Sequence, residues 1–356
     1  MTQTTYLPKD YELFIGLDVD KKSFSFTIQD HNIMKRTKTI PAQPQYFYNY
    51  LQNNYSNKQI ICAYEAGPTG YHLYDYLTQK NIPCLVVPPL SIPKAPNERV
   101  KTNRIDSVKL TALLKAGSLK SIRVPQDEWR ELRHLVKIRQ NYASLRKVTQ
   151  QRIKALLLFA HLDGYIKDPY QKWSCNHINE IKKIPCQPAI RDCLDMLIDD
   201  LFYARKQLLT IHRVLRSFCN SHENIKNYLS FLQSIPGIGF VVAVTLLGNI
   251  GDPKNLKDPR ELASFVGLVP RENSTGDDVN RGSITHLGDK VLRFLLIEAA
   301  WVAIRKDIRL YQFYCRIKNR HHSEIAKKKA ITAVARKLTA IIYRILKEER
   351  KYIPHF

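Results

Sequence analysis

Short apolar runs separated by turn-forming residues fill the N-terminal part of the chain. Residues 13 to 19 (Leu-Phe-Ile-Gly-Leu-Asp-Val) and the alternating Phe24-Ser25-Phe26-Thr27-Ile28 predict two neighbouring strands, with Lys21-Lys22 near the turn. A weaker third strand covers 35 to 40, and a helical stretch lies near 43 to 54. Ile60-Ile61-Cys62-Ala63-Tyr64 is a buried-type strand closing on Glu65; Gly67-Pro68-Thr69-Gly70 then punctuates the chain before an amphipathic helix through Leu77. The next strand, 84 to 87, is stopped by Pro88-Pro89. A strand meander followed by alternating helix and strand is the ribonuclease H-like plan. A basic loop over 94 to 104 leads into a helix expected over 103 to 116.

The period changes beyond residue 127. Leu132, Leu135, Ile138, Tyr142, Leu145, Val148, Ile153 and Leu156 recur at spacings of three to five with arginines and lysines between them, which predicts one long amphipathic helix to about 159. A second helix over 188 to 219, reached through a Trp- and Cys-containing connection, would complete an antiparallel arm. A helical spacer and a dimerising coiled coil both satisfy that pattern. From Tyr228, the run Ile235-Pro236-Gly237-Ile238-Gly239 before an apolar stretch predicts a helix-hairpin-helix-like element. Its amides at Gly237 and Gly239 could hold a phosphate; glycines serving close packing are the plainer alternative. A final helix, 327 to 349, carries Ile331, Val334, Leu338, Ile341 and Ile345 as one core-facing stripe. The expected architecture is thus an α/β ribonuclease H-like domain, a helical linker and a mainly α C-terminal domain, with boundaries at 1–120, 121–225 and 226–356.

Charge narrows the partners. Lys plus Arg number 56 against 32 Asp plus Glu, a net +24 with a pI near 9.7, and this excess clusters at 133 to 154, 316 to 320 and 327 to 329. Such clustering points to a polyanion, with nucleic acid favoured over a membrane surface. Seven cysteines without a CxxC pair signal neither a zinc knuckle nor a disulfide framework, so reduced thiols are expected. Residues 1 to 11 lack a signal-peptide pattern, and the longest apolar stretch, 294 to 304, is broken by Glu298. No membrane partner and a cytoplasmic location are expected.

The candidate chemistry is acidic at one end and hydroxylic at the other. Asp18 and Glu65 close two strands expected to be neighbours, and Asp106 would join them from the following helix. Converging carboxylates suit divalent ions such as Mg²⁺ or Mn²⁺, which activate an attacking oxygen and stabilise a leaving one in phosphodiester displacement. Each acid read by itself is more often a cap or a solvated loop residue. Asn103, one helical turn before Asp106, sits where a fourth ligand would point; its amide oxygen can bind Mg²⁺ but carries no charge, and a plain N-cap is its alternative role. Downstream, Asn273-Ser274-Thr275-Gly276 is a turn bearing two hydroxyls, candidates either for nucleophilic attack or for ordinary turn hydrogen bonds. Arg271, Arg281, Lys290 and Arg293 flank it as candidate phosphate contacts, and Lys101 and Arg104 lie in the basic loop. Tyr311, Phe313 and Tyr314 beside Arg316, Lys318 and Arg320 suit either stacking on unpaired bases or core packing.

These motifs resemble, in order and spacing, the DEDD transposases of the insertion sequence 110 family, relatives of the pilin-gene invertases. Ile15-Gly16-Leu17-Asp18, Tyr64-Glu65-Ala66-Gly67-Pro68-Thr69-Gly70 and Val100-Lys101-Thr102-Asn103-Arg104-Ile105-Asp106 resemble the family's three acidic motifs. Ile235-Pro236-Gly237-Ile238-Gly239, Gly267-Leu268-Val269-Pro270-Arg271 and Gly282-Ser283-Ile284-Thr285-His286-Leu287-Gly288 resemble its C-terminal domain. The resemblance implies a RuvC-like N-terminal domain, a coiled-coil linker, a serine nucleophile and a covalent protein–DNA intermediate. It also implies a structured guide RNA pairing with donor and target DNA, and assembly as a homodimer or homotetramer.

Two positions depart from the family pattern. Asn103 stands where an aspartate is expected, and in ungapped register the family serine falls on Thr275, with Ser274 beside it. Threonine keeps the hydroxyl but adds a methyl that crowds in-line attack. Two further readings therefore stand beside an active recombinase: a nucleic-acid-binding copy weakened in its chemistry, and a structure-specific nuclease using metal-activated water.

Overall fold

The computed structural model describes residues 6–31, 34–93, 103–165, 173–272, 281–285, 287–320 and 325–354. The chain divides into two compact units, Met1–Val124 and Pro125–Phe356.

In the first unit a five-stranded sheet has the order β3-β2-β1-β4-β5. β1 (Leu13–Val19), β2 (Ser23–Gln29) and β3 (Met34–Pro41) form the antiparallel meander that the alternating residues predict. After α1 (Pro44–Tyr55), β4 (Ile60–Glu65) pairs in parallel with β1; after α2 (His72–Gln79), β5 (Cys84–Val87) pairs in parallel with β4. α3 (Asn103–Lys115) completes the unit. Successive strand residues point to opposite faces, and here both faces are covered. Ile15, Leu17, Phe26, Cys62 and Tyr64 face a core that holds Phe47 and Leu51 of α1 and Leu73 and Leu77 of α2. Phe14, Ile61, Ala63, Leu85 and Val87 face Leu110 and Leu114 of α3. Burial on both sides is why 60 to 64 reads as an unbroken apolar run. The unit is mixed α/β, consistent with the ribonuclease H-like plan.

The second unit is mostly helical. α4 (Asp127–Phe159) leads through α5 (Cys175–Lys183) to α6 (Pro188–Ser221), and α4 and α6 pack antiparallel. α5 is a helix inside the expected connection: the Ser174 hydroxyl accepts from His177 N–H, and Ile178 and Ile181 are buried. The pair has two separate cores. At one end Trp129, Leu132 and Val136 join Ile211, Leu215 and Cys219 in the main body; at the other Ile153 and Leu157 join Ile178, Ile181, Leu194 and Ile198. Ile138, expected in the buried stripe, is 45 % exposed, because the stripe shifts to Val136 and then Thr149. Between the two cores α6 still buries Ala204 and Leu208, and polar and aromatic contacts join the pair there: Arg139 Nε donates to His212 Nε2 (3.1 Å), and Tyr142 stands edge-on to Tyr203.

The main body continues with α7 (Glu223–Gln233), α8 (Phe240–Ile250), α9 (Pro259–Val266), the two-stranded β6 (Pro270–Glu272) and β7 (Arg281–Ile284), then α10 (Lys290–Ala303), α11 (Ile308–Asn319) and α12 (Ala326–Glu348). α12 buries Ile331, Val334, Leu338 and Ile345 as expected, with Ile342 rather than Ile341 fully inside. α4 crosses α8 closely at Gly248, where a Cβ would lie 2.9 Å from Val136 Cγ2. Arg133 then donates from Nε to Gly248 O and from Nη2 to Asn249 O, both at 3.0 Å, satisfying carbonyls at the C-terminal end of α8. Among the described residues no helix is long and apolar enough to cross a membrane.

The Arg139–His212 bond sets a pH dependence. Burial first, then the Arg139 and Arg216 charges, holds the His212 imidazole below its ordinary value of 6.5. A proton on Nε2 would face the Arg139 donor instead of accepting from it. The unfolded chain therefore binds the proton more readily than the folded one, and folding stability rises with pH through this window. We expect the melting temperature to be full above about pH 6.5 and to fall on acidification below it. In His212→Gln, whose carbonyl still accepts from Arg139, that part of the fall should disappear; an unchanged pH profile would show that other groups cause it.

Candidate functional site

The register of β1 against β4 places the first two acids. Leu17 lies opposite Tyr64, so one further step sets Asp18 beside Glu65 at the C-terminal ends of parallel neighbours, about 4.8 Å apart in the backbone. Both are half-buried. Alternation puts Asp18 on the side of Phe14 and Gly16, and Glu65 on the side of Ile61 and Ala63, which is the face α3 covers. The 67–70 turn closes over this end: Tyr64 Oη donates to Gly70 O (3.1 Å), Ala66 N–H to Val87 O (2.8 Å) and Thr69 Oγ1 to Val19 O (3.5 Å). Gly70 takes φ +71°, a backbone shape that glycine adopts without strain.

The third acid arrives on α3, whose seat is built from a glycine and a set of hydroxyls. A Cβ on Gly16 would sit 2.5 Å from both Ser107 O and Thr111 N, so the helix lies directly on the β1 backbone. Gly16 N–H donates to Thr111 Oγ1 (2.9 Å), and that oxygen lies 3.1 Å from Thr27 O and 2.7 Å from Ser107 O. Thr27 Oγ1 bonds the Ser107 hydroxyl (2.9 Å) and the Thr37 hydroxyl (2.8 Å). Lys115 Nζ donates to His31 O (2.6 Å), just past β2 and so at the N-terminal end of β1. The helix therefore runs opposite to β1, and its first turn, with Asn103 and Asp106, lies toward the end holding Asp18 and Glu65.

The backbone thus brings Asp18, Glu65 and Asp106 to one face and one end of the sheet. Their hard oxygen donors are of the chemical type that binds divalent cations. Among the described residues, however, no three His, Cys, Asp or Glu side chains gather into a metal-holding group. Asn103 begins α3, but its side chain and that of Arg104 lie outside the described residues, as does all of Lys101. Thr27, Ser107 and Thr111 escaped the motif-based reading. Their signal is Ser107 and Thr111 one helical turn apart, opposite the hydroxyls of the Ser25–Thr27 strand.

In the second unit the two downstream glycine motifs are stitched together. Gly267 (φ +76°) and Gly288 (φ +92°) each approach the other's segment so closely that a Cβ would meet Leu287 O at 1.8 Å or Phe265 O at 2.4 Å. Thr285 N–H donates to Val269 O (3.0 Å), and β6 pairs with β7 through Pro270 opposite Ile284 and Glu272 opposite Arg281. Ser274 and Thr275 fall between these two strands, outside the described residues. Arg271 and Lys290 are exposed, and the Arg281 side chain lies outside the described residues. Arg293 departs from the expectation of a phosphate contact: it is 8 % exposed, and its Nη1 donates to Val266 O (3.1 Å) and Leu287 O (3.2 Å). Its guanidinium braces the joined segments from beneath.

In the 234–239 turn, Gly237 (φ +86°) serves close packing, since a Cβ there would lie 2.2 Å from Ala299 O of α10. Gly239 is the exposed N-cap of α8, with nothing within 4 Å of its Cβ position. Of the aromatic group on α11, Tyr314 is buried in the core, Phe313 packs against it beneath Arg316 and Lys337, and Tyr311 is 48 % exposed.

Comparison with known proteins follows this layout. A DEDD transposase profile matches residues 15–162, the stretch from β1 through α4. A profile described as the Transposase IS116/IS110/IS902 family matches residues 229–315, the stretch from α7 through most of α11. Full-length relatives include the y4qE protein of Sinorhizobium fredii, 28 % identical over 96 % of this chain and 90 % of its own length. They also include the transposase for insertion sequence element IS1111A of Coxiella burnetii, 25 % identical over 97 % and 92 %. The pilin gene-inverting protein of Moraxella bovis is 24 % identical over 95 % and 97 %. The chain belongs to the insertion sequence 110 family of transposases.

The α3 seat yields a stability prediction. Thr111→Val removes the acceptor of Gly16 N–H and should cost about 1–3 kcal/mol, while Thr111→Ser keeps the oxygen and should cost less. Chemical denaturation of the two variants checks this; a larger loss in Thr111→Ser than in Thr111→Val would show that the methyl, not the hydroxyl, holds the helix.

Proposed function

We propose that the chain is an insertion-sequence DNA transposase of the recombinase type. In this reading it cuts and rejoins DNA through a covalent link between DNA phosphate and the hydroxyl of Ser274 or Thr275. The observation that supports it is that the backbone sets Asp18, Glu65 and Asp106 toward one face and one end of the sheet. Asp18, Glu65 and Asp106, with the Asn103 amide, would hold Mg²⁺ or Mn²⁺, which supplies electrophilic activation of the phosphate and stabilisation of the departing oxygen. The neutral Asn103 lowers the negative charge of the set and so weakens its grip on a second cation. The hydroxyl oxygen forms a bond to phosphorus and loses its proton, the phosphorus–deoxyribose oxygen bond breaks, and the displaced oxygen takes up a proton. A second strand's hydroxyl reverses the sequence and regenerates the side chain. Arg271, Arg281 and Lys290 would steady the phosphate, and Lys101, Arg104 and the Gly239 helix end would hold the backbone.

In the same reading a structured guide RNA pairs with donor and target DNA, the protein works as a homodimer or homotetramer in the cytoplasm, and the functional domains are 1–120, 121–225 and 226–356. The full-length similarity to transposases and to a gene-inverting protein supports recombination rather than simple cleavage.

The test incubates the protein with its element DNA, the RNA transcribed beside its gene, and Mg²⁺. A protease-sensitive protein–DNA adduct is expected, retained by one and lost by the other of Ser274→Ala and Thr275→Ala, and reduced at least a hundredfold by Asp18→Ala. Cleavage to free 3′-hydroxyl ends that survives the double Ser274→Ala, Thr275→Ala change would sink the covalent mechanism and leave water as the nucleophile. For Asn103→Asp, a higher rate is expected if the missing charge limits the reaction.

A further inference from the structure

Beside the α7–α8 turn, α6, α7 and the start of α8 enclose an open cleft of about 460 Å³. Its charged lining consists of Arg216, Lys226 and Lys351, with no carboxylate among the residues that form it. The remaining polar donors include Asn220, one turn from Arg216 on α6, and Gln233, two turns from Lys226 on α7. All five of these side chains are exposed.

Arg216 is held by a side-chain contact, and the backbone carrying Lys351 is anchored. The Arg216 guanidinium lies 4.4 Å from the centre of the Phe240 ring, a face contact that positions the group and leaves its N–H fork available. Lys351 is fixed through its neighbour: Tyr352 N–H donates to Ser234 Oγ (2.7 Å), and Tyr352 Oη bonds Asp307. Like charges converging on a lining that holds no carboxylate repel one another, an arrangement that becomes favourable when an anion enters. Phe240 is also the first residue of α8, so the positive end of that helix adds to the same field.

We propose that this cleft is a phosphodiester-binding site, a second grip on nucleic acid outside the acidic face and the hydroxyl-bearing turn. Lysine ammonium groups and an arginine fork meet phosphate oxygens, and the Asn220 and Gln233 amides add neutral donors. The lining recognises backbone charge rather than base identity. DNA and RNA share this chemistry.

Full-length Lys226→Gln/Lys351→Gln protein, compared with the unaltered chain across a KCl series, tests the site by anisotropy on a labelled mixed-sequence DNA duplex and on a single-stranded RNA of equal length. For duplex DNA, loss of two phosphate contacts should lower the slope of log affinity against log salt by about two, with weaker binding at low salt. Loss on the duplex alone assigns the cleft to DNA, loss on the RNA alone assigns it to RNA, and loss on both assigns it to either backbone. Arg216→Lys, which keeps the charge but not the fork, should weaken binding less than Arg216→Gln. Unchanged affinity and slope on both polymers would overturn the site, and so would a loss that depends on base sequence. Because the carboxylates, Ser274 and Thr275 are untouched and the readout is binding, failure to find a covalent adduct leaves this result standing.

Discussion

The contact of α3 with the bare backbone of β1 at Gly16 is the constraint on which the acidic face depends. No other residue type lets the helix approach so closely, because any Cβ would overlap Ser107 O and Thr111 N. The approach places Thr111 Oγ1 against Gly16 N–H and near Thr27 O, so a helix side chain enters the hydrogen bonding of the β1–β2 region. Sliding α3 along the sheet would break these bonds together and strand buried polar groups, each costing about 1–3 kcal/mol. Asp106, one residue before Ser107, is thereby indexed to Asp18, two residues beyond Gly16.

The second unit uses the same device for a different end. Gly237, Gly267 and Gly288 occur where backbone meets backbone, and each takes a positive φ there. Gly267 and Gly288 clamp the two segments that bracket β6 and β7, while buried Arg293 bonds the carbonyls of both. Motifs that resemble a transposase domain are thus also the fastening points of the β6–β7 base. Their glycines serve packing as directly as any ligand. The cation-lined cleft differs, since its charged side chains are exposed and no carboxylate is among the residues that line it.

The paired helices α4 and α6 show how a long amphipathic pattern divides its labour. Apolar residues at the two ends belong to separate cores, and the stretch between them is joined through Arg139, His212, Tyr142 and Tyr203. The Arg139–His212 bond, set beside buried Ala204 and Leu208, gives the pair a pH-sensitive contact that an all-apolar seam would lack. The exposure of Ile138 follows from the same division, because apolar spacing alone does not say which neighbour, if any, faces a residue.

The sequence by itself determined the strands of the sheet, the long helix pair, the core stripe of α12 and the placement of Asp18, Glu65 and Asp106 on their elements. Period-two and helical spacings are local, and the acids lie at recognisable element ends. Only the tertiary structure decided that Arg293 is an internal brace, that Gly237 packs on α10, that Thr27, Ser107 and Thr111 seat α3, and that Arg216, Lys226 and Lys351 share a cleft. The reason is physical: burial, hydrogen-bond partners and converging charge are relations between residues far apart in the chain, and no window along a sequence contains them.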